Sequence, residues 1–375
     1  MFLAAFRSWV RSILGSAPQP SGGVSAEIGA WRPLRGRASL RGAAAALAVA
    51  AMLLSAAAGA RAASAAPPLE QLLPAPPPTT WSERFGPTGS PASVPLGHLV
   101  VQANLWNLNP RASGSAAVVD KGGTLSWTID LAGLCPLFHT PRCPAPLDYI
   151  NGYPDVAYGQ SPYGGPNSAA AFAPLPARLG GRARDLWLSA RYAVARPRSP
   201  MDFEWDIWLT PQATTAHSRG PTDGIEVEIR LYQSFVLGEL TRLRFHYAGT
   251  VCLPTVVDGA LRSWCWKTYH GPSDSAGGMA LVIFVPEHRQ RRAGIAVNLT
   301  GLVQAISAHA RALGLIGDGC HAAGSCYVDY IELGSEFAGR LLDRSRVAWS
   351  LSAYCAGLLP ADAPGSAVTA AAGGC

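Results

Sequence analysis

Between Asp223 and Tyr232 the chain reads Asp-Gly-Ile-Glu-Val-Glu-Ile-Arg-Leu-Tyr, a turn dipeptide followed by unbroken alternation of apolar and polar side chains. That is the period of a β-strand with one face in a core. Ile225, Val227, Ile229 and Leu231 share one face, and Glu226, Glu228 and Arg230 share the other. The plain reading is an antiparallel strand with a solvated outer face. Charged residues make up only 14% of the chain, however, and three of them stand together here. A second acidic strand, Asp202 to Thr210, comes just before, and a Gly-Ser-Glu corner, Gly334 to Glu336, comes much later. Together they outline a two-carboxylate site on a curved sheet.

Short β-like runs separated by Gly, Pro and Asn predict strands over 97–108, 122–131, 185–194, 203–210, 225–232, 240–251, 261–269, 279–286, 327–333 and 347–354. One helix is expected, capped by Thr300, with Val303, Ile306, Ala310 and Leu313 as its apolar stripe before Gly314. Many strands, one helix and no helix–strand alternation predict an all-β fold. The expected form is a β-jelly roll, a concanavalin A-like two-sheet sandwich with the helix on its convex face. The 40 glycines and 11 tryptophans suit such a sandwich with an aromatic-lined groove.

The ends read differently. Residues 1–66 hold seven arginines and a single acid, Glu27, around an apolar run at 43–58 and an alanine-rich exit. This predicts a secretory signal peptide, or a membrane anchor if the run stays uncleaved. Residues 67–80 read as a Pro-rich linker, 81–356 as the domain and 357–375 as a flexible Ala/Gly-rich tail. The net charge of +6 belongs to the first segment; from Pro67 onward 23 basic residues balance 23 acidic ones. A neutral remainder gives no electrostatic footprint for nucleic acid, and a monomer is expected. Of eight cysteines, Cys135 with Cys143, Cys252 with Cys265, and Cys320 with Cys326 form close pairs, predicting local disulfides and an oxidising compartment. Cys355 and Cys375 are left over.

Two carboxyl groups facing each other across an aromatic groove are the minimum for cleaving a glycosidic bond. One attacks the anomeric carbon while the other protonates the leaving oxygen. Five stretches carry a family resemblance in order: Gln102-Ala-Asn104-Leu-Trp106-Asn107, Gly152-Tyr-Pro-Asp-Val-Ala-Tyr-Gly159, Trp205-Asp-Ile-Trp-Leu-Thr210, Ile225-Glu-Val-Glu-Ile-Arg-Leu-Tyr232 and Ile331-Glu-Leu-Gly-Ser-Glu-Phe337. The chain resembles glycoside hydrolase family 12, the retaining endo-β-1,4-glucanases of jelly-roll fold, over residues 81–354. The resemblance implies Glu226 as nucleophile, Glu336 as acid/base and Asp206 as helper. Asn104, Trp106 and Tyr158 then contact substrate, as do Glu228 and Arg230, which stand where the family has Met and Trp. A register two residues on makes Glu228 the nucleophile. The first is preferred because Tyr232 then falls where relatives from heat-loving bacteria have Tyr.

The leading segment and the resemblance together imply a secreted hydrolase of internal β-1,4-glucosidic bonds. It would act by double displacement, with a β-glucan as partner and neither metal nor cofactor. The rivals are a xyloglucanase or β-1,3(4)-glucanase of related fold, and a non-catalytic carbohydrate-binding sandwich. The β-1,3(4)-glucanase site needs a third acid after Asp206 on the same strand, and Ile207, Trp208 and Leu209 supply none.

Overall fold

The computed structural model describes residues 68–74, 80–86, 93–106, 108, 112–134, 150–161, 175–179, 183–213, 224–272, 280–312, 326–338 and 344–375. The expected targeting segment, the Cys135–Cys143 loop and Cys320 lie outside them. The described residues form seventeen strands and three helices.

A first layer is built from β3 (Ser93–Leu96), β4 (Leu99–Gln102), β7 (Asp155–Gly159), β16 (Tyr327–Gly334), β10 (Asp202–Thr210), β11 (Ile225–Gln233), β14 (Ala280–Pro286) and β13 (Ala260–Pro272), paired in that order. Every pairing in it is antiparallel except β11 with β14. The long hairpin of β13 with β12 (His246–Val257) carries the ladder over into a second layer. That layer runs β15 (Arg292–Asn298), β9 (Arg184–Val194), β17 (Arg344–Pro360), β6 (Thr124–Ala132), β5 (Ser113–Lys121) and β2 (Trp81–Phe85). Two short strands finish the sheet, β1 (Glu70–Gln71) on β17 and β8 (Ala177–Arg178) on β16.

Alternate residues of both layers meet in one apolar core: Val101, Trp205, Ile229 and Ile331 from the first, Trp127, Leu188, Val297 and Leu351 from the second. The Phe203 ring bridges the layers, its centroid 5.0 Å from those of Tyr192 and Trp349. Ile225, Val227, Ile229 and Leu231 all enter this core. Strand geometry therefore turns Glu226, Glu228 and Arg230 to the outer face of the first layer. Mainly β, two-layered and antiparallel, the molecule has the jelly-roll architecture expected.

The helices depart from expectation. Helix α1 (Phe235–Arg244) occupies the start of what reads as a strand from 240, because Ser234 caps it by accepting the Leu237 N–H at 3.4 Å. In α2 (Leu299–Ala312) the cap is Asn298, whose side-chain oxygen accepts the Gly301 N–H at 2.8 Å. Thr300, expected as the cap, instead accepts the Leu186 N–H at 2.9 Å and ties the helix to β9. The expected flexible tail is a strand end and a third helix, α3 (Gly365–Gly373). Val368 and Ala371 of α3 pack with Leu69, Trp187 and Val256. Part of the expected linker is likewise packed, with Leu72 fully buried and Leu69 donating its N–H to the Ala371 carbonyl.

Two disulfides join described residues. Cys252–Cys265 pairs directly opposite residues of β12 and β13, as the spacing predicts, and Cys355–Cys375 staples α3 to β17. The second closes a separation of 20 residues, for which chain-entropy loss in the unfolded state gives roughly 2–4 kcal/mol. Cys375→Ser is expected to lower unfolding stability by about that amount, measured by denaturant titration. An unchanged midpoint would mean that the apolar contacts of α3 suffice.

Candidate active site

Three neighbouring strands, β11, β10 and β16, carry the acidic residues, and their register arranges these in rows. Glu228, Asp206 and Glu332 stand directly opposite one another across the three strands. The next row toward the start of β10 is Arg230, Glu204 and Gly334; the next in the other direction is Glu226, Trp208 and Tyr330. Directly opposed side chains have Cβ atoms about 4.5–5.5 Å apart, so each row is a set of touching groups.

Glu336 enters from the Gly334 end. Its backbone N–H donates to the Asp202 carboxylate at 3.0 Å, and its carbonyl accepts the Asp202 N–H at 3.2 Å. A Cβ on Gly334 would lie 2.4 Å from the Pro154 carbonyl oxygen. Only glycine therefore lets β16 run this close to the chain entering β7 before the corner turns. Gly152 bridges Leu105 on one side and Phe337 on the other. The predicted Asn104–Trp106 segment thus sits beside the Glu336 corner, with the Trp106 N–H donating to the Asn151 carbonyl at 3.2 Å.

The centre of the site is Arg230, 2% exposed. Its guanidinium lies 2.5 Å from Glu228, 3.0 Å from Glu204, 3.3 Å from Asp202 and 3.6 Å from Glu336, and donates to the Thr241 hydroxyl at 2.6 Å. One cation is shared among four carboxyl groups, so the cluster keeps protons. Burial, then the charges of Asp202 and Glu228, push Glu204 well above the usual carboxylate range. Asp202 is raised by burial to about 7 although Arg230 opposes the shift. The carboxylate oxygens of Asp202, Glu204 and Glu336 lie within 4.8 Å of one another, a spacing that could hold a cation. The guanidinium already answers that charge.

On the other side of Asp206, Glu332 and Asp155 have no ion pair among the described residues. Burial and then the charge of Glu226 raise Asp206 well above its ordinary range. Burial raises Glu332 to about 8, while its hydrogen bonds with Tyr330 and Gln102 act in the opposite direction. Fully buried Asp155 is pushed up by its surroundings and by Glu332, with the Gln102 and Asn104 side chains opposing.

Of the residues singled out from the sequence, Glu228, Arg230, Asp206 and Glu336 come together, and Asn104 with Trp106 borders them. Two expectations change. Tyr158 is 1% exposed and belongs to the core, because Val156 and Tyr158 of β7 face inward and Asp155 outward. Glu226 does not form the pair with Glu336. It faces Trp208, whereas Glu336 lies at the Asp202 end of β10, with the Arg230 and Glu228 rows between. Each row adds about 6.6–6.8 Å. Asp202, Glu204, Glu332 and Asp155 were not singled out, although Asp202, Glu204 and Asp206 alternate in the same way as Glu226, Glu228 and Arg230.

These shifts make stability depend on pH. Asp202 and Glu332 titrate in the folded state near 7 and 8, above the ordinary carboxylate value, so the folded protein holds protons that the unfolded chain has released. Their contribution is present in acid and is lost as pH rises through 7 and 8. The thermal midpoint is expected to fall between pH 5 and 8.5, and Glu332→Gln to flatten that fall. A variant with the same slope as the wild type would remove Glu332 from the account.

No protein-family model and no curated protein matches the sequence. Solved structures do. A family 12 xyloglucanase from Bacillus licheniformis is 15% identical, with a TM-score of 0.50 over 74% of this chain and 100% of that one. An endoglucanase from Rhodothermus marinus, also 15% identical, gives 0.46 over 74% and 99%. At such identity a likeness speaks for architecture, and the chain has the jelly-roll fold of glycoside hydrolase family 12.

Proposed function

We propose that the protein is a retaining hydrolase of β-1,4-linked glucan, with Glu228 as nucleophile and Glu336 as acid/base. The observation that supports this is the shared guanidinium. Glu228 at 2.5 Å and Glu336 at 3.6 Å from one Arg230 nitrogen have contacting oxygens no more than about 6 Å apart. Retaining glycosidases hold their two carboxyl groups roughly 5–5.5 Å apart. Glu336, about a fifth exposed, is also the more open of the two.

In the first step a Glu228 oxygen bonds to the anomeric carbon as the glycosidic C–O bond breaks, and the Glu336 proton passes to the departing oxygen. In the second step Glu336 takes a proton from water, the oxygen of that water bonds to the anomeric carbon, and Glu228 is released. Arg230 fixes the Glu228 carboxylate by two hydrogen bonds, at 2.9 and 2.5 Å. Burial, then the charge of Glu226, push Asp206 well above the ordinary carboxylate range; it stands directly opposite Glu228, to which its protonated form can donate a hydrogen bond. The quoted sequence motifs carry the substrate class, and a family 12 xyloglucanase shares the architecture. Disulfides and the basic, apolar leading segment support secretion as the protein's destination.

The reading is tested on soluble β-1,4-glucan, mixed-linkage glucan and xyloglucan. Release of reducing ends is expected. Glu228→Ala should abolish it, with azide restoring turnover as an α-glycosyl azide, while Glu226→Ala should still turn over. Glu226→Ala dead and azide-rescued, with Glu228→Ala active, would return the role to Glu226. Binding without hydrolysis would make the protein a carbohydrate-binding module.

A further inference from the structure

Away from the acids, six exposed arginines stand in two stretches: Arg191, Arg196 and Arg198 along β9 and the segment after it, and Arg289, Arg291 and Arg292 where β14 turns into β15. Backbone contacts lay the two stretches side by side. Arg292 and Gly294 of β15 pair with Ala193 and Arg191 of β9, and the Arg291 carbonyl accepts the Val194 N–H at 2.6 Å. Arg191 and Arg292 are therefore diagonal neighbours on one face, a separation that long side chains span. The Tyr192 hydroxyl, 3.1 Å from both the Leu231 and the Gln290 carbonyl oxygens, holds the turn against the end of β11. On the other side the Arg198 N–H donates to the Arg346 carbonyl at 3.2 Å, where Arg344 and Arg346 share a single acid, Asp130.

Little counter-charge answers this cluster. Residues 190–200 contain no acid, and residues 286–298 contain only Glu287. Asp258, which borders Gly294 together with Arg191, accepts the Gly294 N–H at 2.8 Å, and Glu239 of α1 is paired with Arg242 at 2.5 Å. Among the described residues none of the six arginines is in an ion pair. From Pro67 onward basic and acidic residues balance, so the excess is local. A surface of one sign carries the cost of self-repulsion and attracts a partner of the other sign. One aromatic ring adjoins it. A Cβ on Gly238 would lie 3.2 Å from the Arg289 guanidinium and 3.1 Å from the Gln233 amide nitrogen. Phe235, three residues earlier, shares that side of α1 and is 42% exposed. Gln233 in turn accepts from Arg230 at 3.5 Å, so the basic surface begins beside the carboxylate cluster.

We infer that this basic surface binds an acidic polysaccharide, its carboxylates pairing with the arginines and a sugar ring lying on Phe235. Guanidinium forks match carboxylates with two parallel hydrogen bonds, and an exposed ring offers a flat apolar face beside them. A lipid surface would require a larger apolar face than this single ring. The other large hydrophobic side chains exposed among the described residues are Tyr247 on β12 and Leu261 on β13. The choice of a polysaccharide rests on the reading of the protein as acting on glycans; the basic surface itself does not. A polymer held there lies outside the cleft. It would keep the enzyme on a matrix while the Arg230 site works on a neutral chain.

The full chain is titrated with soluble polygalacturonate at several salt concentrations, beside the triple variant Arg289→Ser/Arg291→Ser/Arg292→Ser. The basic leading segment is common to both and cancels in the comparison. The wild type should bind and lose affinity steeply as salt is added. The triple variant should bind roughly ten-fold more weakly and with a shallower salt dependence, while cleaving neutral soluble β-1,4-glucan at the wild-type rate. Phe235→Ala should weaken binding several-fold and leave the salt dependence unchanged. Equal affinity of wild type and triple variant for polygalacturonate would overturn the inference. Vesicles of phosphatidylserine and phosphatidylcholine bound as tightly as polygalacturonate, and lost in the same variant, would overturn the choice of a polysaccharide. Polygalacturonate binding by a protein that cleaves no β-glucan would remove the proposed hydrolase and leave this inference standing.

Discussion

Arg230 is a permanent cation with almost no access to water. A buried charge of that kind costs several kcal/mol unless it is matched and fully hydrogen-bonded. Here the match comes from Asp202 and Glu204 on β10, Glu228 on β11, Glu336 on the corner after β16, and the Thr241 hydroxyl on α1. One side chain thereby joins two strands, the corner after a third and a helix. A planar fork with several donors can serve so many oxygens at once; an ammonium group, with three donors about one point, could not. The dependence is mutual, because removing the guanidinium would leave four close carboxyl groups without a counter-charge.

Much of this was legible in the alternation of apolar and polar residues. The faces of β11 and β10 and the core partners of both layers follow from a period of two, and so does the outward charge. The register does not. A slip of two residues keeps every side chain on its own face, so alternation cannot separate Glu226 from Glu228 as the partner of Glu336. That choice is made by the pairing of β10 with both neighbours and by the shift in the β10–β11 ladder at Phe203–Glu204. Tyr158 shows the opposite failure: an aromatic in a resembling motif, turned inward by the parity of a strand that begins at Asp155. In α1 and α3 tertiary contacts override composition. The alanine-rich tail holds its helix where Cys375 and the burial of Val368 and Ala371 fix it.

The rows also explain how so many acids share one surface. Carboxylates directly opposite one another on adjacent strands repel, and the fold answers in two ways along β10. Toward its start, repulsion is met by the Arg230 charge. Toward its end, where Glu332, Asp155 and Asp206 have no ion pair among the described residues, burial raises their proton affinity. Burial raises the proton affinity of the acids along the whole strand, and only the half toward its start also has the Arg230 charge beside it.

Glu228 stands on the boundary between those halves. From one side it receives the guanidinium; from the other it faces Asp206, whose proton affinity is raised by burial and then by Glu226. A carboxylate meant to attack carbon needs charge and a fixed direction, together with an oxygen left free for the new bond. A counter-charge along one edge and a hydrogen-bond donor across the strand gap can fix direction while the remaining lone pairs point outward from the sheet. Glu226, one row further, faces the apolar Trp208 and Leu281 and lies away from the cation. Its negative charge still acts on Asp206 and helps hold the proton there. The two glutamates that alternation could not tell apart are thus divided by their neighbours. In the proposed mechanism Glu228 reacts, while the charge of Glu226 raises the proton affinity of Asp206.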